Sequence, residues 1–80
     1  DYPPAFNGLQ LANRAPIHKA ACAVDFSRDA VERCVAAGAN LLIVHHGMFW
    51  SGPQRITGHV YDRLALLLAH DVAVYASHLP

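Results

Sequence analysis

The sequence is 80 residues long, enough for one domain at most. It is 54% hydrophobic and only 15% charged, where about 25% charged is usual, and this excludes a disordered chain. Six Lys and Arg balance six Asp and Glu with no cationic cluster, which argues against a nucleic-acid partner, and the longest apolar run, Leu64 to Ala69, is too short to cross a bilayer.

In chain order, Asn7-Gly8 is a favoured two-residue turn, which predicts a short edge strand over Leu9 to Leu11. Ala20 to Val24 is a continuous apolar run of the length of a buried strand. Ser27 to Gly38 follows helical spacing through Ala30, Val31, Cys34 and Val35, with Ser27 as N-cap and Gly38 at the stop. Leu41 to Val44 predicts a second buried strand, and the Ser51-Gly52-Pro53 segment marks Phe49 to Ile56 as a loop. A helix is expected from about Gly58 to His70, N-capped by Thr57, with Val60, Leu64, Leu67 and Leu68 on one stripe. Val72 to Ala76 predicts the last strand. The order β-α-β-α-β implies an α/β fold with a mainly parallel sheet and right-handed connections. Three such strands and two helices leave an exposed edge and at least one uncovered face.

In an open parallel sheet the functional cleft lies at the carboxyl ends of the strands. All three predicted strands finish there in a potential ligand: Asp25, then His45 and His46, then His78. Imidazole is the commonest metal-binding side chain, accepted by zinc, iron, manganese and nickel. Consecutive strand residues point to opposite faces, so His45 and His46 converge on one point only if the backbone leaves strand geometry, a freedom Gly47 would supply. Otherwise the rings diverge and reach two different ions. Asp25 has three readings: a ligand, a carboxylate that orients an imidazole, or the first turn residue before Ser27. His18, His59 and His70 have no partner at ligand spacing, and His70 suits the carboxyl end of its helix. Phe49 and Trp50 are expected to pack as an apolar lid beside the pair. Cys22 and Cys34 form no C-x-x-C pair and are expected to be small buried hydrophobes.

The segment Leu41-Leu42-Ile43-Val44-His45-His46-Gly47-Met48-Phe49-Trp50 resembles the signature of the Nif-three-like dinuclear metal-centre family, also called type 2 GTP cyclohydrolase I-like. Three further segments are similar in order and spacing. They are Asn7-Gly8-Leu9-Gln10, Ile56-Thr57-Gly58 with Arg63, and Tyr75 to Pro80, whose His78-Leu79-Pro80 fits H-x-P. The resemblance implies two divalent metal ions per subunit (zinc, iron, manganese or nickel), with His45, His46 and His78 as ligands. It implies further ligands outside these 80 residues: an Asp shortly after Pro80, and a distant His and Glu. Residues 1–80 would then be a partial domain, a fragment of the metal-binding α/β domain, which also suits their shortage of charge.

By the same resemblance the parent protein would be a cytoplasmic homo-hexamer and a metal-dependent hydrolase. It would act on a small-molecule nucleotide or heterocycle such as GTP through metal-activated water. The catalytic acid–base residue is expected outside this segment, and no phosphate-binding Gly-rich loop is present. No signal peptide is evident, and neither nucleic acid nor membrane is expected as a partner. The alternative is a non-catalytic metal-binding scaffold or interaction protein.

Overall fold

Strands form where small and β-branched apolar residues run without interruption, and the intervening helices carry one apolar stripe each. The structure, a computed structural model, describes residues 8–47 and 55–77. In chain order the elements are β1 (Gly8–Leu11), β2 (Ala20–Asp25), α1 (Arg28–Ala36), β3 (Leu41–His46), α2 (Gly58–Ala69) and β4 (Ala73–Ala76). They build one sheet of order β1-β4-β3-β2, in which β2, β3 and β4 are parallel and β1 runs antiparallel to β4. The expected α/β fold with a mainly parallel sheet is what forms, and Leu9 to Leu11 falls in the expected edge strand. Asn7 and most of the expected Phe49-to-Ile56 loop lie outside the described residues.

Burial alternates along the strands. Leu42 and Val44 of β3 and Val74 and Ala76 of β4 are buried, and they cluster with Val31 and Cys34 of α1 and Leu67 of α2. Both helices touch each other, and these shared core residues put them on this one face. The other face carries a row of register neighbours, Leu9, Tyr75, Ile43 and Cys22, one from each strand. Leu9, Tyr75 and Val24 are exposed there, so among the described residues this face is uncovered, as anticipated. Cys22, expected to be buried, is exposed because the two-residue period of β2 turns it to this side. Cys34 is buried as expected, and burial pushes its thiol up from the usual range.

The helix ends show why the chain turns where it does. Ser27 caps α1 by accepting from the Ala30 N–H at 3.1 Å. Thr57 occupies the N-cap position of α2 without a side-chain hydrogen bond, a departure from its expected role; Gly58, at φ +54, bends the chain into the helix instead. Both helices end in the same six-to-one arrangement. In α1 the Ala39 N–H donates to Cys34 O and the Gly38 N–H to Val35 O, with Gly38 at φ +74. In α2 the Val72 N–H donates to Leu67 O and the Asp71 N–H to Leu68 O. Asp71 adopts φ 55 at the position glycine fills in α1.

Two polar side chains then fasten the long β1–β2 connection. Buried Asn40 accepts from His18 N–H at 3.0 Å through Oδ1 and donates to Pro16 O at 2.9 Å through Nδ2. The Asp71 carboxylate accepts from Arg14 N–H at 2.7 Å and Ala15 N–H at 2.9 Å. Those two backbone donors hold the Asp71 carboxyl below its ordinary value of 3.8. A depressed carboxyl stabilises the fold above its ordinary value, and that contribution disappears as pH falls through the lowered one. The stability gap between wild type and Asp71→Asn is therefore expected to be full above the ordinary carboxyl value and to close as pH falls through the lowered one. Urea unfolding at a series of pH values checks this; a gap independent of pH would contradict it.

Candidate metal centre

The carboxyl edge of the parallel strands gathers the polar residues. β3 does not stop at Val44: its pairing with β2 continues to Asp25 opposite His46. His45 and His46 are thus the last two residues of the strand, whereas the sequence placed them after it. The reason lies across the ladder. His46 Nδ1 and Asp25 Oδ1 are 2.8 Å apart, and the Phe26 N–H donates to His46 O at 3.1 Å. His46 continues the strand because it finds partners at the end of the neighbouring strand.

Asp25 is the last residue of β2 and contacts His46, so the turn-residue reading is corrected and the contact has the geometry of the orienting role. A carboxylate accepts only, so His46 donates to it through Nδ1–H, and Nε2 lies on the other side of the ring. That carboxylate–imidazole arrangement is the one that fixes tautomer and ring orientation in metal-binding histidines. The His46 side chain is 28% exposed and Asp25 67%, so the pair is accessible from solvent.

The ring centroids of His45 and His46 are 4.6 Å apart, with planes tilted by 46°. The rings approach each other while the backbone stays in the ladder, so a departure from strand geometry is not what brings them together. β3 outruns β4 at this edge: Val44 pairs with Ala76, the last residue of β4, and the Ser77 N–H donates to Val44 O at 2.9 Å. Gly47 is not in the left-handed region either; among the described residues the glycines at positive φ are Gly8, Gly38 and Gly58. Gly47 is required for space. A Cβ built on it would lie 2.7 Å from the Ala76 Cβ and 2.8 Å from Gln10 Cδ, with Gln10 Oε1 closer still.

His78, with Phe49 and Trp50, lies outside the described residues. Among the described residues no three His, Cys, Asp or Glu side chains converge as a metal site. The donors that are described nonetheless fit a divalent ion: two imidazoles at one strand end, one held at Nδ1 by a carboxylate. His18 and His70 are exposed and separate from this edge by sequence and element; His70 is the C-cap of α2, as its position suggested. His59 borders a different cleft between α1 and α2, with Arg28, Glu32, Asp62 and Arg63. Sequence reasoning missed Gln10 as a neighbour of the His pair, and missed Arg63, whose guanidinium lies 5.4 Å from the centroid of the Phe26 ring. Both occur in segments that carry the resemblance, which was the available signal.

Against known proteins, the profile of the Duf34/NIF3 (NGG1p interacting factor 3) family matches residues 5–80. A GTP cyclohydrolase 1 type 2 homolog of Treponema pallidum is 51% identical over 77 residues, covering 95% of this chain and 27% of the relative. The homolog of that name in Chlamydia pneumoniae is 46% identical, covering 100% of this chain and 32% of the relative. The crystal structure of TTHA1606 from Thermus thermophilus superposes with a TM-score of 0.88 at 38% identity, over 96% of this chain and 32% of that one. The chain thus spans less than a third of the length of the relatives it matches.

Proposed function

The chain belongs to the Duf34/NIF3 family, and from that premise we propose that it is the imidazole-bearing part of a dinuclear metal centre in a metal-dependent hydrolase. The observation that carries the reading is the Asp25–His46 contact of 2.8 Å at the carboxyl edge of the sheet, beside the His45 ring. Asp25 fixes the His46 ring, and His45, His46 and His78 are the nitrogen donors. Divalent ions bound there supply Lewis-acid activation of water near neutral pH. The chain's own residues contribute orientation: Phe26 N–H and Asp25 hold one side of the β3 end, and Ser77 N–H holds the other. Ring nitrogens committed to a metal do not also shuttle protons, so acid–base catalysis falls to residues outside this segment. The substrate class, a nucleotide or related heterocycle, follows the name of the relatives.

The test uses the full-length protein. Elemental analysis is expected to find two divalent ions per subunit, and the loaded protein is expected to open or hydrolyse GTP or another nitrogen heterocycle, followed by liquid chromatography. No bound metal would sink the reading. Two ions with GTP and a heterocycle panel left intact would leave the metal site and replace the hydrolase by a binding scaffold.

A further inference from the structure

The ladder between β1 and β4 pairs Leu9 with Tyr75 and Leu11 with Val74. Two steps along β1 therefore match one step along β4, and Gln10 is the extra residue of a β-bulge. Regular alternation would put Leu9 and Leu11 on the same face. Instead Leu9 is 60% exposed while Leu11 packs against the core, so the bulge has turned the chain between them. Bulges re-aim side chains in this way and are common next to functional sites.

The re-aimed side chain is Gln10, and its carboxamide lies against Gly47. To arrive there it crosses β4, which sits between β1 and β3. Two small residues open the route: Ala76, at the end of β4, and Gly47 itself. A Cβ at Gly47 would run into both the carboxamide and Ala76. Gly47 directly follows His46, at the end of the strand that carries both rings. From the β2 side that strand end is held by the Phe26 N–H and Asp25, and from the β4 side by the Ser77 N–H. Gln10 is a third support, reaching in from the far edge of the sheet.

We infer that Gln10 is a positioning residue for the His45–His46 pair: its carboxamide braces the backbone at Gly47 and thereby sets the two imidazoles. The inference deepens the metal-centre reading and rests on it for its effect on metal.

The full-length protein carrying Gln10→Ala is compared with wild type and with Leu9→Ala, a neighbour on the same strand whose side chain is exposed beside Tyr75 and outside the core. In the metal-free proteins, imidazole nitrogen NMR shifts of His45 and His46 at one fixed pH report ring setting. With Co2+ as the probe metal, visible absorption reports ligand geometry, and titration reports affinity. Gln10→Ala is expected to move the imidazole shifts, alter the Co2+ spectrum and weaken Co2+ binding by about 10–100-fold, as loss of an outer support typically does. Leu9→Ala is expected to leave all three at wild-type values. Unchanged imidazole shifts in Gln10→Ala would overturn the inference, and so would identical changes in Leu9→Ala, because the strand and not the carboxamide would then be responsible. If wild type takes up no Co2+, the metal reading fails by itself, and the shifts of the metal-free proteins still decide the role of Gln10.

Discussion

Replacing His46 with alanine in the full-length protein is expected to weaken divalent-metal binding by about a hundredfold or more. Structural metal sites with four ligands are worth about 10–16 kcal/mol, so one ligand carries roughly 3 kcal/mol, which corresponds to that factor. Asp25→Ala is expected to cost less, about 10–100-fold, because the imidazole remains and only its orientation is released. The ordering of the two losses is the informative part. Asp25 is two-thirds exposed and its visible partner is a single ring nitrogen, so its removal has little else to disturb. Calorimetric titration of wild type and both variants checks the series. Equal losses would mean that Asp25 is itself a ligand; no loss in His46→Ala would remove this edge from the metal centre.

Leu67→Ala is expected to destabilise the fold by about 2–5 kcal/mol, the range for truncating a fully buried leucine. Leu67 is 0% exposed and sits where α2 meets the sheet, in one cluster with Val31, Val44 and Val74. A domain of this size is typically stable by only about 4–12 kcal/mol, so the loss is a large share of the total. The next residue, Leu68, is 64% exposed, and Leu68→Ala is expected to stay within about 0.5 kcal/mol. Urea unfolding of both variants makes the comparison. A loss at Leu68 matching that at Leu67 would show that further polypeptide packs on the outer side of α2.

Those two leucines show what was readable in the sequence and what was not. The helical stripe placed Val60, Leu64, Leu67 and Leu68 together, yet only Leu67 is fully buried, because a stripe gives an approximate face and packing selects within it. The strands and helices themselves were legible, since uninterrupted apolar runs and a 3.6-residue period are local signals. The end of β3 was not. His45 and His46 look like loop residues after an apolar strand, and they remain in the ladder because Asp25 and Phe26, about twenty residues earlier, pair with His46. Asn40 and Asp71 were invisible for the same reason: each grips backbone far away in the chain, and no nearby residue announces it. The single local hint was a lone Asn at the start of an apolar strand. At the metal centre the imidazoles could be named from the sequence, while Gln10 required the bulge that aims it.

The strand order carries a consequence for how the molecule assembles. β2, β3 and β4 are neighbours in sequence order, so their pairing proceeds by successive short crossovers. β1 is different: the first described strand pairs with the last, Gly8 against Ala76. Closing a loop of that length costs more entropy than any other pairing in the sheet, and such non-local contacts form late. During synthesis β1 leaves the ribosome before β4 and waits for it to emerge before it can dock. By this ordering β2 and β3 set the His pair and Asp25 in place before the strand bearing Gln10 joins the sheet.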